Sequence, residues 1–310
     1  MTVKVHRKSN QKIKTIYFQS FNGIDDLINW INKHRASKHD YKKYPIKRLA
    51  VDFSKVVQLK PYHVVSLACL IREYQEKRFK IKTINASPKV NSYLQSFYFE
   101  QFCDENHQND FSRTTDDKTF PLWKIEAGGI GLYPKHIERY FERNHFNGKS
   151  LFPLSVSLSE MLNNVFDHSE SFIKGYTFTQ YNSQQNTITI SVCDFGVGIA
   201  KKVQKFLLST ENKTLTSLEA FKKAFENQFT TKSTPRNRGL GLATVLSNVK
   251  LFKSKILVLS NNTLYIYGLH DEEAFEEREV YFPGTLVVIW LDTNNLPEYE
   301  EELTNEIDLF

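Results

Sequence analysis

The chain has 310 residues, 40% of them hydrophobic and 25% charged, with a formal net charge of +6. That length supports about two domains with real cores, and the composition is that of an ordinary globular protein. No apolar run approaches the roughly 20 residues of a membrane span, and the basic start MTVKVHRKSNQK has no apolar stretch behind it, so neither an anchor nor a secretory signal is expected. Three scattered cysteines, Cys69, Cys103 and Cys193, lack metal-ligand spacing and point to reduced thiols in the cytoplasm. The positive charge gathers at Lys4, Arg7, Lys8, Lys12 and Lys14, but no RNA or DNA motif accompanies it, so nucleic acid is not indicated.

Taken in order, Lys12–Phe18 alternates as a strand and Ile24–His34 reads as a helix opened by Asn22–Gly23. Arg48–Phe53 is a short buried strand. Pro61 suits a helical first turn, with helical spacing through His63–Phe79. Phe79–Ile84 reads as a strand and Pro88–Cys103 as one helix. Strands alternating with helices predict an α/β unit over residues 1–110. Residues 111–149 read as a connecting segment with a strand at Phe120–Ile125 and a charged helix at Lys135–Asn144.

The stretch Leu158–Ser169, LSEMLNNVFDHS, places Leu158, Met161, Leu162 and Val165 on one helical stripe. Glu160, Asn163, Asn164 and Asp167 share the other face, with His168 at its edge. Glu160 could take a proton and Asn164 could hold a cation, although a solvated face has the same pattern. Gly175–Tyr181 and Thr187–Cys193 predict a hairpin. Asp194 keeps the parity of Ile188, Ile190 and Val192, and so points to the buried side, where it needs a donor such as a purine amine. Gly196 and Gly198 follow, leaving room for close backbone approach.

Arg238-Gly239-Leu240-Gly241-Leu242 then opens a helix, Ala243–Phe252, whose N-terminal amides suit an anion. Lys232, Arg236 and Arg238 make its approach cationic. Ile199–Asn237 reads as a mobile lid holding one helix near Leu218–Gln228. Lys255–Ser260, Thr263–Tyr267 and Thr285–Leu291 predict antiparallel strands, residues 268–283 an exposed charged loop, and 298–310 an acidic tail.

Two resemblances follow from these residues. Leu49–Leu70, a strand ending in Asp52-Phe53-Ser54 before a helix, resembles the STAS domain of anti-sigma factor antagonists. In that family the loop carries a phosphorylated Ser or Thr; here Lys60, Pro61, Tyr62 and His63 stand in its place, so the phospho-acceptor is missing. Across residues 150–297, Glu160-x-x-x-Asn164, Asp194-x-Gly196-x-Gly198, Gly239-x-Gly241 and the Gly284-Thr285 strand resemble, in order and spacing, the GHKL ATP-binding superfamily. Its members include gyrase, the large heat-shock chaperones, histidine kinases and MutL-type repair proteins, and the nearest branch is that of histidine and anti-sigma kinases. The resemblance implies a two-layer α/β sandwich with a mixed, mainly antiparallel sheet, and an ATP and Mg²⁺ site. Within it, Asn164 would hold Mg²⁺ and Glu160 would act as general base. Asp194, supported by Thr285, would read adenine, with Gly196 and Gly198 shaping that side. Gly239 and Gly241 would cradle phosphates. His168 would edge the site, and Thr231, Lys232 and Arg238 would come from the lid. The implied protein hydrolyses ATP or transfers its γ-phosphate to a partner protein's Ser or Thr; the alternative is a non-catalytic ATP sensor controlling partner binding. A homodimer is compatible with either.

Overall fold

The structure is a computed structural model that describes residues 13–36, 47–104, 108–112, 116–226, 229, 241–269 and 272–298. Its first layer alternates strictly: β1 (Lys14–Gln19), α1 (Ile24–His34), β2 (Arg48–Lys55), α2 (Pro61–Glu76) and β3 (Lys80–Ile84). The three strands pair in parallel in the order β1-β2-β3. Burial of Leu49 through Phe53 makes β2 the central strand, as its nearly continuous apolar run requires. In α1 the residues Leu27, Ile28, Trp30 and Ile31 face inward, and Asp25 and Asp26 in the first turn suit the helix dipole.

The second sheet is five-stranded and antiparallel. After α3 (Pro88–Ser96) and α4 (Phe99–Phe102) come β4 (Thr119–Lys124), α5 (Leu132–Asn144), α6 (Phe152–His168), β5 (Gly175–Asn182) and β6 (Thr187–Asp194). Then follow α7 (Ile199–Glu211), α8 (Ser217–Lys223), α9 (Gly241–Leu251), β7 (Lys255–Leu269) and β8 (Glu272–Asp292). The strand order is β4-β5-β6-β8-β7. Mixed α/β architecture with one parallel and one antiparallel sheet is therefore the fold class. Among the described residues no helix is long and apolar enough to cross a membrane.

Both faces of the larger sheet are covered. On the front, α5 to α9 enclose Ile188, Ile190, Val192, Val258, Val287 and Ile289 together with the α6 stripe. On the back, α2 packs against β5 and β6, and α1 against β8. Cys193, Phe178, Leu286 and Val288 join Leu67, Cys69, Leu70 and Ile71 in one core that continues to the parallel sheet. Apolar residues on every side of α2 explain its burial between the two sheets.

Several elements differ from the sequence expectations. The helix expected over Pro88–Cys103 breaks in two because Tyr98 adopts a left-handed conformation (φ 56°). Residues Ile199–Glu211 form α7, where a lid was expected; the helix expected near Leu218–Gln228 is the shorter α8, capped by Thr216, whose Oγ1 accepts from the Glu219 N–H at 3.2 Å. The two strands expected at Lys255–Ser260 and Thr263–Tyr267 are one strand, β7, with register shifts around Asn261. The expected loop over 268–283 is instead mostly the first half of β8. Its carboxylates are tolerated because Ala274 and Phe275 still pack inward, while Arg278 pairs with Asp25 and Glu276 and Lys250 pairs with Glu273. Within 111–149, β4 forms an edge of the larger sheet and α5 packs beside α6.

Candidate functional site

Helix α6 is held from both ends. Pro153 sits in its first turn, and the Ser150 hydroxyl accepts from the Phe152 N–H at 3.2 Å. Asn248 of α9 donates to Pro153 O at 3.2 Å and to Ser157 Oγ at 3.0 Å, tying the two helices together. Leu158, Met161, Leu162 and Val165 are buried in the front core, as their spacing predicts. Glu160 and Asn164 are left half-buried on the opposite side. Partial burial raises the Glu160 carboxyl above the ordinary range, the direction a proton acceptor needs to work near neutral pH.

At its C-terminal end α6 meets the loop after β6. The Val197 N–H donates to Ser169 O at 2.7 Å. Gly196 lies so close that an added Cβ would stand 2.0 Å from the same oxygen, so no larger residue fits. Gly198, with φ +81°, starts α7, and a Cβ there would overlap the Asn261 side chain at 2.3 Å. Gly196 and Gly198, expected to leave room for a ligand, let the loop close onto α6 and β7.

Asp194 ends β6 at 2% exposure. Its Oδ1 accepts from the Gly196 N–H at 2.7 Å, but burial outweighs that bond and pushes its pKa up to about 7. Thr285 stands opposite it in the β6–β8 ladder, and Ser260 stands opposite Thr285 in the β8–β7 ladder. These three polar side chains therefore cross one face of the sheet in a row, on the same side as α6. Ser260 Oγ lies 3.2 Å from Thr285 Oγ1 and 3.1 Å from Gly284 O, and accepts from the Ile199 N–H at 2.7 Å. It joins β7, β8 and the start of α7 at one atom.

Across the site, a Cβ added to Gly241 would lie 3.6 Å from Asn164 Nδ2 and 3.7 Å from its Oδ1. The N-terminus of α9 therefore opens beside the α6 amide. The structure brings together Glu160, Asn164 and Gly241 on one side, and Asp194, Gly196, Gly198 and Thr285 on the other. His168 closes α6, but its side chain lies outside the described residues, as do Thr231, Lys232, Arg238 and Gly239. Sequence reasoning missed Ser260 and Ser169. The run Ser260-Asn261-Asn262-Thr263, polar between two apolar stretches of β7, was the available signal for the first; Ser169 carries none beyond its place after α6.

Among the described residues no cluster of three acidic, histidine or cysteine groups could hold a metal ion unaided. Asn164 offers a neutral amide oxygen, which suits Mg²⁺ only when a ligand's own phosphate oxygens complete the shell. Among the described residues, this donor set would suit a cation carried by a ligand's own oxygens and not a cation held by the protein alone.

Gly241→Ala separates the two uses of this space. The added methyl makes only ordinary contacts, and at the first position of α9 the interior helix preference for alanine does not apply, so little change in stability is expected. Denaturant unfolding should show stability close to wild type; if the start of α9 receives phosphate, titration should show phosphate-bearing ligands bound about tenfold more weakly. Unchanged ligand affinity would remove Gly241 from the site.

No protein-family model matches this chain, and no curated protein matches it.

Proposed function

We propose that residues 150–297 bind Mg-ATP in the manner of the GHKL superfamily, and that residues 1–110 are a STAS-like regulatory layer. The observation that carries the reading is Asp194: a carboxylate buried at a strand end, given one backbone donor, and followed by two glycines pressed against Ser169 O and the Asn261 side chain. A group so poorly compensated costs stability, and a purine's exocyclic amine would supply the missing donor. In this reading Thr285 backs Asp194, while the α9 N-terminus at Gly241 and Asn164 receive the phosphates and their Mg²⁺. Glu160 accepts a proton from water or from a partner's hydroxyl. Bound Mg²⁺ would neutralise charge on the phosphates.

The STAS-like layer has no Ser or Thr at the family's acceptor place at the start of α2, where Pro61, Tyr62 and His63 stand. His63 occupies that region, 3% exposed, with Nδ1 accepting from the Lys60 N–H at 3.2 Å. Burial, reinforced by Lys60, pushes its pKa down to about 4, so it is neutral near pH 7. The phosphate acceptor, if the reaction is a transfer, belongs to another protein. A cytoplasmic setting accords with Cys69, Cys103 and Cys193 all being free thiols.

Incubation with γ-labelled ATP, alone and with cell extract, tests the reaction. Label on a protein supports a kinase, free phosphate supports an ATPase, and neither, with binding intact, supports a nucleotide sensor. Glu160→Gln should lower either turnover about 100-fold and leave ATP affinity within about threefold. Turnover that survives the substitution would assign the base elsewhere.

A further inference from the structure

The loop that carries Asp194 is held from behind by the N-terminal layer. Cys69 and Glu73 lie one turn apart on α2, which faces the back of β6. Cys69 Sγ donates to Cys193 O at 3.3 Å, gripping the residue before Asp194. On the other side of Asp194, the Phe195 ring lies under Arg35, with the guanidinium carbon 4.7 Å from the ring centroid. Phe282 closes on the same ring edge-on at 5.9 Å.

Arg35 is itself fixed on several sides. Its Nη2 pairs with Glu73, whose side chain is 1% exposed, and the Ala36 N–H donates to Glu73 Oε2 at 3.1 Å. The Tyr74 hydroxyl donates to His34 O at 2.8 Å, and Lys77 Nζ donates to Ala36 O, so the end of α1 is pinned to α2. Arg35 Nε is buried without a hydrogen-bond partner. An ion pair this desolvated adds little net stability, and apolar residues of similar size would serve packing as well. What it adds is a planar cation set at one place against Phe195.

We propose that Arg35 is a positioning residue for the base-reading loop, coupling the N-terminal layer to nucleotide selection at Asp194. Arg35 acts through Phe195, and with Cys69 it sets the two residues between which Asp194 turns into the site. A signal that shifts the end of α1 would reach the nucleotide through this contact. The nucleotide part of the inference rests on the ATP-binding reading above; the mechanical part does not.

Two readouts keep these parts distinct. The first is amide hydrogen exchange at Gly196 and Val197 in ligand-free protein. The second is the ratio of ATP to GTP affinity. The paired variant Arg35→Met with Glu73→Gln removes both charges while keeping bulk, and so should unfold at the wild-type denaturant midpoint. Its two loop amides should exchange about tenfold faster, and its preference for ATP over GTP should fall about tenfold. Arg35→Lys keeps the charge opposite Glu73 but loses the planar face, and should show smaller changes in the same directions; it decides the matter if the paired variant does not fold. Wild-type exchange at both amides in a stably folded variant overturns the inference. Should wild-type protein bind no ATP, the site reading fails, and the exchange rates alone decide whether Arg35 holds the loop.

Discussion

Asp194→Asn should make the protein more stable and, on the proposed ATP-binding reading, weaken its affinity for ATP. The sign follows from the raised pKa. Below pH 3.8, the ordinary value, Asp194 is protonated in folded and unfolded chains alike and costs nothing. Between 3.8 and about 7 the unfolded chain ionises and the folded one does not, so stability is lost as pH rises. Above about 7 the loss is complete, and about three pH units of difference correspond to ~4 kcal/mol. Asparagine carries no such cost and still offers an oxygen to the Gly196 N–H. Urea unfolding at pH 8 should therefore show a gain of up to about 4 kcal/mol that disappears near pH 4. ATP affinity should fall about 100-fold, the worth of a buried hydrogen bond to a charged group. Wild-type affinity should itself weaken as pH drops below about 7 and the carboxylate takes up a proton. A variant less stable than wild type at pH 8 would show that Asp194 is paid for within the protein rather than held for a ligand.

Gly284→Ala should be among the most damaging single-methyl additions in the chain. Gly284 has φ +132°, a conformation closed to other residues, and it sits where β8 passes beneath the Asp194 loop. An added Cβ would lie 2.2 Å from Asp194 O and 2.6 Å from Gly196 N. Both are backbone atoms of a loop already fastened to α6, to α7 and to Arg35, so none can yield without shifting the site. A loss of more than about 3 kcal/mol is expected in denaturant unfolding, with nucleotide binding lost in whatever folds. Gly128→Ala, which meets nothing within 4 Å, is the control and should leave both unchanged. Unfolding of Gly284→Ala within about 1 kcal/mol of wild type would mean that the loop relaxes freely and is not preorganised.

Local pattern carried the elements whose environment is one-sided. The α1 limits, Ile24–His34, follow from apolar spacing and the Asn22–Gly23 turn, the α6 stripe from apolar spacing, and the parity of Ile188, Ile190 and Val192 placed Asp194 on the buried face. Pattern failed where the second neighbour comes from far along the chain. Ser191 and Cys193 lie on the face of β6 opposite Ile188, Ile190 and Val192, and alternation alone does not show that both are fully buried there, since the covering helix α2 lies more than a hundred residues earlier. The carboxylate-rich start of β8 reads as a loop, because only pairing with β7 and the contacts of Arg278 with α1 make a strand of it. The candidate site shares this division. Glu160, Asn164, Asp194 and the glycines were legible as motifs, whereas Ser260 at their junction and Arg35 behind them depend on three-dimensional contact.

Burying Asp194 at a cost, and fastening its loop from both sides, makes sense in a protein that recovers the cost from a ligand amine. Such departures from an optimal core gather at functional sites. Isothermal titration of Mg-ATP into the wild-type protein and Asp194→Asn side by side, at pH 8, tests this most directly. The reading requires one saturable site in the wild type and about 100-fold weaker binding in the variant. Absence of binding in the wild type, or equal affinity in the two proteins, would contradict it.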